Sequence, residues 1–222
     1  MSSRQEEKEQ RKQERLERER AAAAEAKRKR TLQIGGGAVV AVAIVAGVVL
    51  AVTGGGGGAS RPSDAAVKTA ATAAGCVYKT FPSEGRGHTA APRTPADYKT
   101  NPPTSGDHNP NPAQDGLYVA GNEPPIANWV HTLEHGRIIL QYAPAAPPSA
   151  FAALTKLYNQ PVLDSGKSYH MVLMRNNTKM PFQTAAVAWQ HYIGCEDASP
   201  AAIKAMAAFR DRYVDKGPEL IA

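Results

Sequence analysis

Asn128-Trp-Val-His-Thr-Leu-Glu-His-Gly-Arg-Ile-Ile-Leu-Gln-Tyr142 holds a helix, its stop and a strand in one short run. Asn128 is of a type that caps a helix, and the helix predicted from it runs through His135 to a glycine stop at Gly136. Arg137–Tyr142 then alternates as a strand does. Downstream, Phe151, Leu154 and Leu157 recur at helical spacing after Pro147-Pro148, which predicts a helix over Ser149–Tyr158. Tyr169–Met174 and Ala185–Ile193 read as strands. Pro200–Val214 reads as an amphipathic closing helix bearing Ile203, Met206, Phe209 and Tyr213. The order helix, strand, helix, strand, strand, helix predicts an α+β domain with one small mixed sheet and flanking helices.

Upstream of this run the chain changes character. Between Phe81 and Pro125 stand Pro82, Pro92, Pro95, Pro102, Pro103, Pro110, Pro112, Pro124 and Pro125, interspersed with Gly85, Gly87, Gly106, Gly116 and Gly121. Few regular elements survive that density. A long ordered loop inside a compact domain is uncommon and often functional, and this one contains His88 and His108.

Charge and hydropathy set the surroundings of the domain. Of 26 Lys/Arg and 20 Asp/Glu in 222 residues, 11 and 7 fall in residues 1–30. That charged tail therefore holds +4 of the net +6, and a nearly balanced remainder gives no electrostatic reason to bind nucleic acid. Thr31–Thr53 has no charged residue, and its apolar run of roughly 20 residues is long enough to cross a bilayer. Lys27-Arg28-Lys29-Arg30 abuts its start. By the positive-inside rule the chain is then a single-pass cell membrane protein with its N-terminus in the cytoplasm, residues 31–53 in the lipid bilayer and the remainder outside. A cleaved signal peptide is the rival reading, but the charged prefix is long for one. Residues 54–75, glycine-rich and then Ala/Ser/Thr-rich, have the composition of a flexible linker, so the extracytoplasmic domain is expected over 76–222.

Cys76 and Cys195 are the only cysteines. Two cysteines in an oxidising compartment read as a disulfide closing most of that domain, and no CxxC or basic cluster supports a metal thiolate or reactive thiol instead.

Chemistry concentrates at His131-Thr-Leu-Glu134-His135. Positions 131 and 135 share a helix face, and His108 in the proline-rich loop can complete three nitrogen ligands for a divalent metal, zinc or copper. His88 is a fourth candidate. Glu134 suits a ligand, an orienter of an imidazole, or a catalytic general base. The pattern H-x-x-E-H also matches the inverted zinc-protease motif, but its helix is too short here and a strand follows at once. Met171 and Met174, with Met180 nearby, offer soft sulfur, yet on a strand the first two point to opposite faces and into core. His170 and His191 fall in strand-like runs, and Ser105 beside His108 lacks a partner carboxylate.

Tyr98-Lys-Thr-Asn-Pro-Pro-Thr-Ser-Gly-Asp-His108, Gly116-Leu-Tyr118, Val130-His-Thr-Leu-Glu-His-Gly-Arg137, Ala188-Trp189 and Gly217-Pro-Glu219 together resemble the uncharacterised bacterial family called domain of unknown function 3105. A related segment occurs in a tumour-protein-p53-inducible membrane protein. The resemblance implies a membrane-anchored or secreted domain and supplies no reaction. Three functional classes stay open: a histidine metal-binding domain, an envelope protein-interaction or structural module whose histidines brace the loop, and a metal-assisted hydrolase.

Overall fold

A computed structural model describes residues 60–219 and is built on a single mixed sheet. In chain order the elements are α1 (Asp64–Ala73), β1 (Val77–Thr80), β2 (Gly116–Leu117), α2 (Ile126–Glu134), β3 (Ile138–Tyr142), α3 (Pro148–Tyr158), β4 (Met171–Arg175), β5 (Thr184–Ala188), β6 (His191–Cys195) and α4 (Pro200–Tyr213). The six strands lie in the order β1-β6-β5-β3-β4-β2. β4 runs parallel to β3 and to β2, and the other pairs are antiparallel.

Alternation of side chains along each strand divides the core in two. Ile138, Leu140, Met171, Leu173, Ala186 and Ile193 face one way, and α1, α3 and α4 cover them with Val67, Leu154, Leu157, Met206 and Phe209. Ile139, Val172, Met174 and Val187 face the other way, against Trp129, Val130 and Leu133 of α2 and Tyr98 of the proline-rich loop. Each large side chain so buried contributes about 1.5–3 kcal/mol. Met171 and Met174 fall on opposite faces, both fully buried, so packing accounts for them.

Several boundaries differ from the sequence reading. α2 begins at Ile126, with Pro125 at its N-cap position and no side-chain cap. The Asn128 side chain instead donates to the carbonyl of Asn111 in the loop. Ala185–Ile193 is two strands, because Gln190 adopts a positive φ of 65° and turns the chain between β5 and β6. The expected linker contains α1, capped by the Ser63 hydroxyl and burying Val67 and Ala71. Asp64 at its start accepts from Arg212 and Tyr213 of α4. The folded domain therefore begins before Cys76.

Cys76, just after α1, is bonded to Cys195 at the end of β6. Among the described residues no helix is long and apolar enough to cross a membrane. The charged tail of residues 1–30, the expected span over 31–53 and the glycine tract lie outside the described residues.

Candidate metal centre

α2 is short and ends against the sheet. Gly136, at φ +79°, stops it in a conformation that L side chains rarely adopt, and β3 starts two residues later. One side of α2 packs on the sheet, while the opposite side receives the chain from Asn109 to Ala113. That segment is fastened by backbone bonds from Asn109 N to Ala127 O and from Ala113 N to Asn128 O, both 3.1 Å. Side chains add Thr132 Oγ1 to Ala113 O at 2.9 Å and Asn128 Nδ2 to Asn111 O at 2.7 Å. The proline-rich loop thus lies over the His131 helix. A second stretch of loop joins it where His88 and His108 form an isolated parallel bridge, with His108 N donating to Gly87 O and Thr89 N to His108 O.

Four imidazoles and a carboxylate meet at this junction. Ring centroids are 4.6 Å apart for His108 and His131, 4.8 Å for His88 and His131, 4.9 Å for His88 and His108, and 4.5 Å for His131 and His135. His108, His131, Glu134 and His135 are buried, and His88 is about half exposed. Potential ligand atoms gather into two overlapping groups, each within 4.8 Å: His88, His108, His131 and Glu134, and then His131, His135 and Glu219. The triad expected from sequence, His108 with His131 and His135, is therefore divided between two groups that share His131. Glu134 and His88 replace His135 as the companions of His108.

Hydrogen bonding fixes which ring atoms are free. His108 Nδ1 lies 2.8 Å from Gly106 O and His131 Nδ1 lies 2.7 Å from Asn109 O. A carbonyl oxygen only accepts, so both Nδ1 atoms carry a proton; in the neutral ring the lone pair is then at Nε2, which in His131 accepts from His135 Nε2 at 2.9 Å. This is the tautomer that a metal ligand takes, with the far nitrogen held by a backbone carbonyl. His108 Nε2 is 2.9 Å from Glu134 Oε2. The separation suits a hydrogen bond, but the directions do not, and among the described residues both atoms are buried without a hydrogen-bond partner. Glu134 Oε2 is also 3.9 Å from His88 Nε2, and Glu134 Oε1 is 3.7 Å from Arg86 Nε.

Burial holds the His131 imidazole below the ordinary histidine range, partly offset by its bond to Asn109 and deepened by His108 and His88. Burial also lowers His135, with His131 and Arg137 adding to the effect. Neutral imidazole is the form that binds metal. Beside His135 opens a polar cavity of about 200 Å³, also lined by Thr132, Gln114, Asp115 and Arg137.

Glu219 is the member of this constellation that sequence reasoning missed. Its place follows from the chain end, which folds back on α2. Asp215 N donates to Gly136 O at 2.8 Å and Glu219 N to Glu134 O at 3.1 Å. A side chain at Gly217 would overlap the backbone of Glu134 and Gly136, so a glycine is required at that approach. The remaining candidates have structural places. Ser105 Oγ accepts from Glu84 N, His170 pairs with Asp215 at 2.6 Å, and His191 stacks on Tyr213 at 4.1 Å.

A family model described as Protein of unknown function (DUF3105) matches residues 89–221. The matched span includes His108, His131, Glu134, His135 and Glu219 and begins one residue after His88. No curated protein and no solved structure matches the chain.

Proposed function

We propose, for a chain that belongs to the family described as Protein of unknown function (DUF3105), that it is a divalent-metal-binding domain whose centre is made by His88, His108, His131 and Glu134. One observation carries the reading: His108 Nε2 and Glu134 Oε2 are two buried polar atoms held 2.9 Å apart with no hydrogen-bond partner. Two polar atoms at that distance, both buried and neither hydrogen-bonded, are unfavourable, and each unsatisfied buried group costs about 1–3 kcal/mol. A cation between them removes both costs. The Nδ1 bonds do brace the loop, as a purely structural role for the histidines requires, but bracing alone leaves His108 Nε2 and Glu134 Oε2 buried side by side without a hydrogen-bond partner.

The ligand atoms are nitrogen and oxygen only. That set suits zinc or copper(II) and does not suit copper(I), which favours sulfur. A metal-assisted hydrolase using Glu134 as general base is less well supported, because the carboxylate stands among the ligand atoms. In this reading the apolar run before the domain is the membrane anchor and the centre faces the outside of the cell.

The test is metal content and affinity of the purified full-length chain, loaded with zinc or cobalt and dialysed. One tightly held ion per chain is expected, lost in His108→Ala and in His131→Ala and retained in His191→Ala. A folded wild type that binds no divalent ion, or a His108→Ala variant that binds as well as wild type, would reject the centre. Added protease should remove a C-terminal tag from intact cells and spare an N-terminal one; the reverse pattern rejects the topology.

A further inference from the structure

The second ligand group lies on the other side of His131, and it rests on the centre proposed above. His131 Nε2 is 2.9 Å from His135 Nε2, and a Glu219 carboxylate oxygen lies within 4.8 Å of ligand atoms on both. His131 Nδ1 is committed to Asn109 O, so Nε2 is the only atom through which His131 can bind in either group. An imidazole nitrogen has one lone pair. The two groups therefore cannot use His131 at the same moment.

The two groups also differ in exposure and in the charges around them. Within the inner group His108, His131 and Glu134 are buried, and its half-exposed member, His88, shares its side with the guanidinium of Arg86 beside Glu134 Oε1. A dication approaching there meets positive charge. The outer group has an exposed carboxylate, Glu219, and its His135 lines the polar cavity. Arg137 lines that cavity too, but its side chain is turned to Asp115 at 3.6 Å and to the His135 carbonyl at 3.0 Å. The folded-back chain end that carries Glu219 is fixed on α2 through Glu134 O and Gly136 O, so the carboxylate is held at the outer group.

We infer that His131, His135 and Glu219 form a second, outer divalent-cation position, which captures the ion and delivers it to the inner centre through the shared Nε2 of His131. Ligand exchange then proceeds by replacing His135 and Glu219 with His108, His88 and Glu134 around an ion that keeps His131. No electron need be supplied, and the proton that His135 Nε2 donates to His131 Nε2 before the ion enters is released to solvent or moved to Nδ1 as the ion takes its place.

Stopped-flow loading of the full-length chain with cobalt(II) tests this. Trp189 packs edge-on to His108 with ring centroids 6.1 Å apart, so its fluorescence reports a paramagnetic ion at the inner centre. Glu219→Gln and His135→Gln should each slow loading by about tenfold or more, as removal of a steering carboxylate or a docking ligand does. The final cobalt content and the quenching amplitude should match wild type. Loading of both variants at the wild-type rate would overturn the outer position while leaving the inner centre standing. Loss of the ion from Glu219→Gln at equilibrium would also overturn it, by making Glu219 part of a single site. A wild type that takes up no cobalt would overturn the inner centre and this inference together.

Discussion

Glu134→Gln separates the cost of building the centre from its affinity. Without an ion the wild type keeps His108 Nε2 and Glu134 Oε2 2.9 Å apart, both buried and both without a hydrogen-bond partner. The amide introduced by the substitution is nearly isosteric and uncharged, and after a small rotation its N–H can donate to His108 Nε2, whose ring is held by the bond from Nδ1 to Gly106 O. Satisfying one buried acceptor and removing a buried charge recovers about 1–3 kcal/mol. Against this stands the 3.7 Å contact with Arg86, whose side chain is 56% exposed, worth about 0–1 kcal/mol. Metal-free Glu134→Gln is therefore expected to be more stable than wild type by about 1–2 kcal/mol. With zinc the order reverses. A ligand at 100 times its Kd stabilises by about 2.7 kcal/mol, and the variant should lose more than the roughly 10–100-fold in affinity that even outer-shell changes cost. Urea unfolding of both proteins in chelator and in excess zinc gives four midpoints, which should cross. A variant less stable than wild type in chelator would show that the carboxylate stabilises the metal-free fold, and would refute the reasoning.

The Cys76–Cys195 bond closes a loop spanning 119 residues, for which the chain-entropy model gives about 5 kcal/mol; Cys76→Ala with Cys195→Ala should lower the urea midpoint accordingly, and a change below about 1 kcal/mol would contradict it. Burial pushes the His191 imidazole down to about 4 from the ordinary 6.5, so between those values the unfolded chain takes up a proton that the folded chain refuses. Its contribution is full above about pH 6.5 and is lost as the pH falls towards 4. Unfolding curves at pH 7.5 and 4.5 should show a smaller drop for His191→Gln than for wild type, and equal drops would count against the assignment.

The sheet centre and its flanking helices were readable because their burial is written as periodicity. β3 and β4 are apolar on both faces, and α3 and α4 carry large apolar residues at helical spacing. α1 was hidden because its buried side is one valine and alanines, which also suit a linker; only contact with α4 distinguishes the two. β1 and β2 are edge strands with little burial, and pairing with β6 and β4 defines them. The β5–β6 turn uses Gln190 at positive φ, without the glycine that would have announced it. At the site, helix geometry correctly put His131 beside His135 but could not rank Glu134 above His135 as a companion of His108, since the loop path decides that. Glu219 stands far along the chain from His131, and only the close approach of Gly217 to the α2 end brings it near.

The abrupt passage from α2 through Gly136 into β3 also determines where the molecule can yield. Glu134 sits at the last turn of α2, and β3 is hydrogen-bonded on both sides, to β4 and to β5. The helical half of the centre is thus fixed to the least compliant part of the fold. His88, His108 and Glu219 arrive on loop and chain end, tied by a few backbone bonds. Occupancy of the centre would then be felt as slower amide deuteration from residue 84 to 113 and from 215 to 219, with the strands exchanging alike in both states. In such a domain the ion shapes the outline of the loop surface, with the sheet acting as the fixed frame.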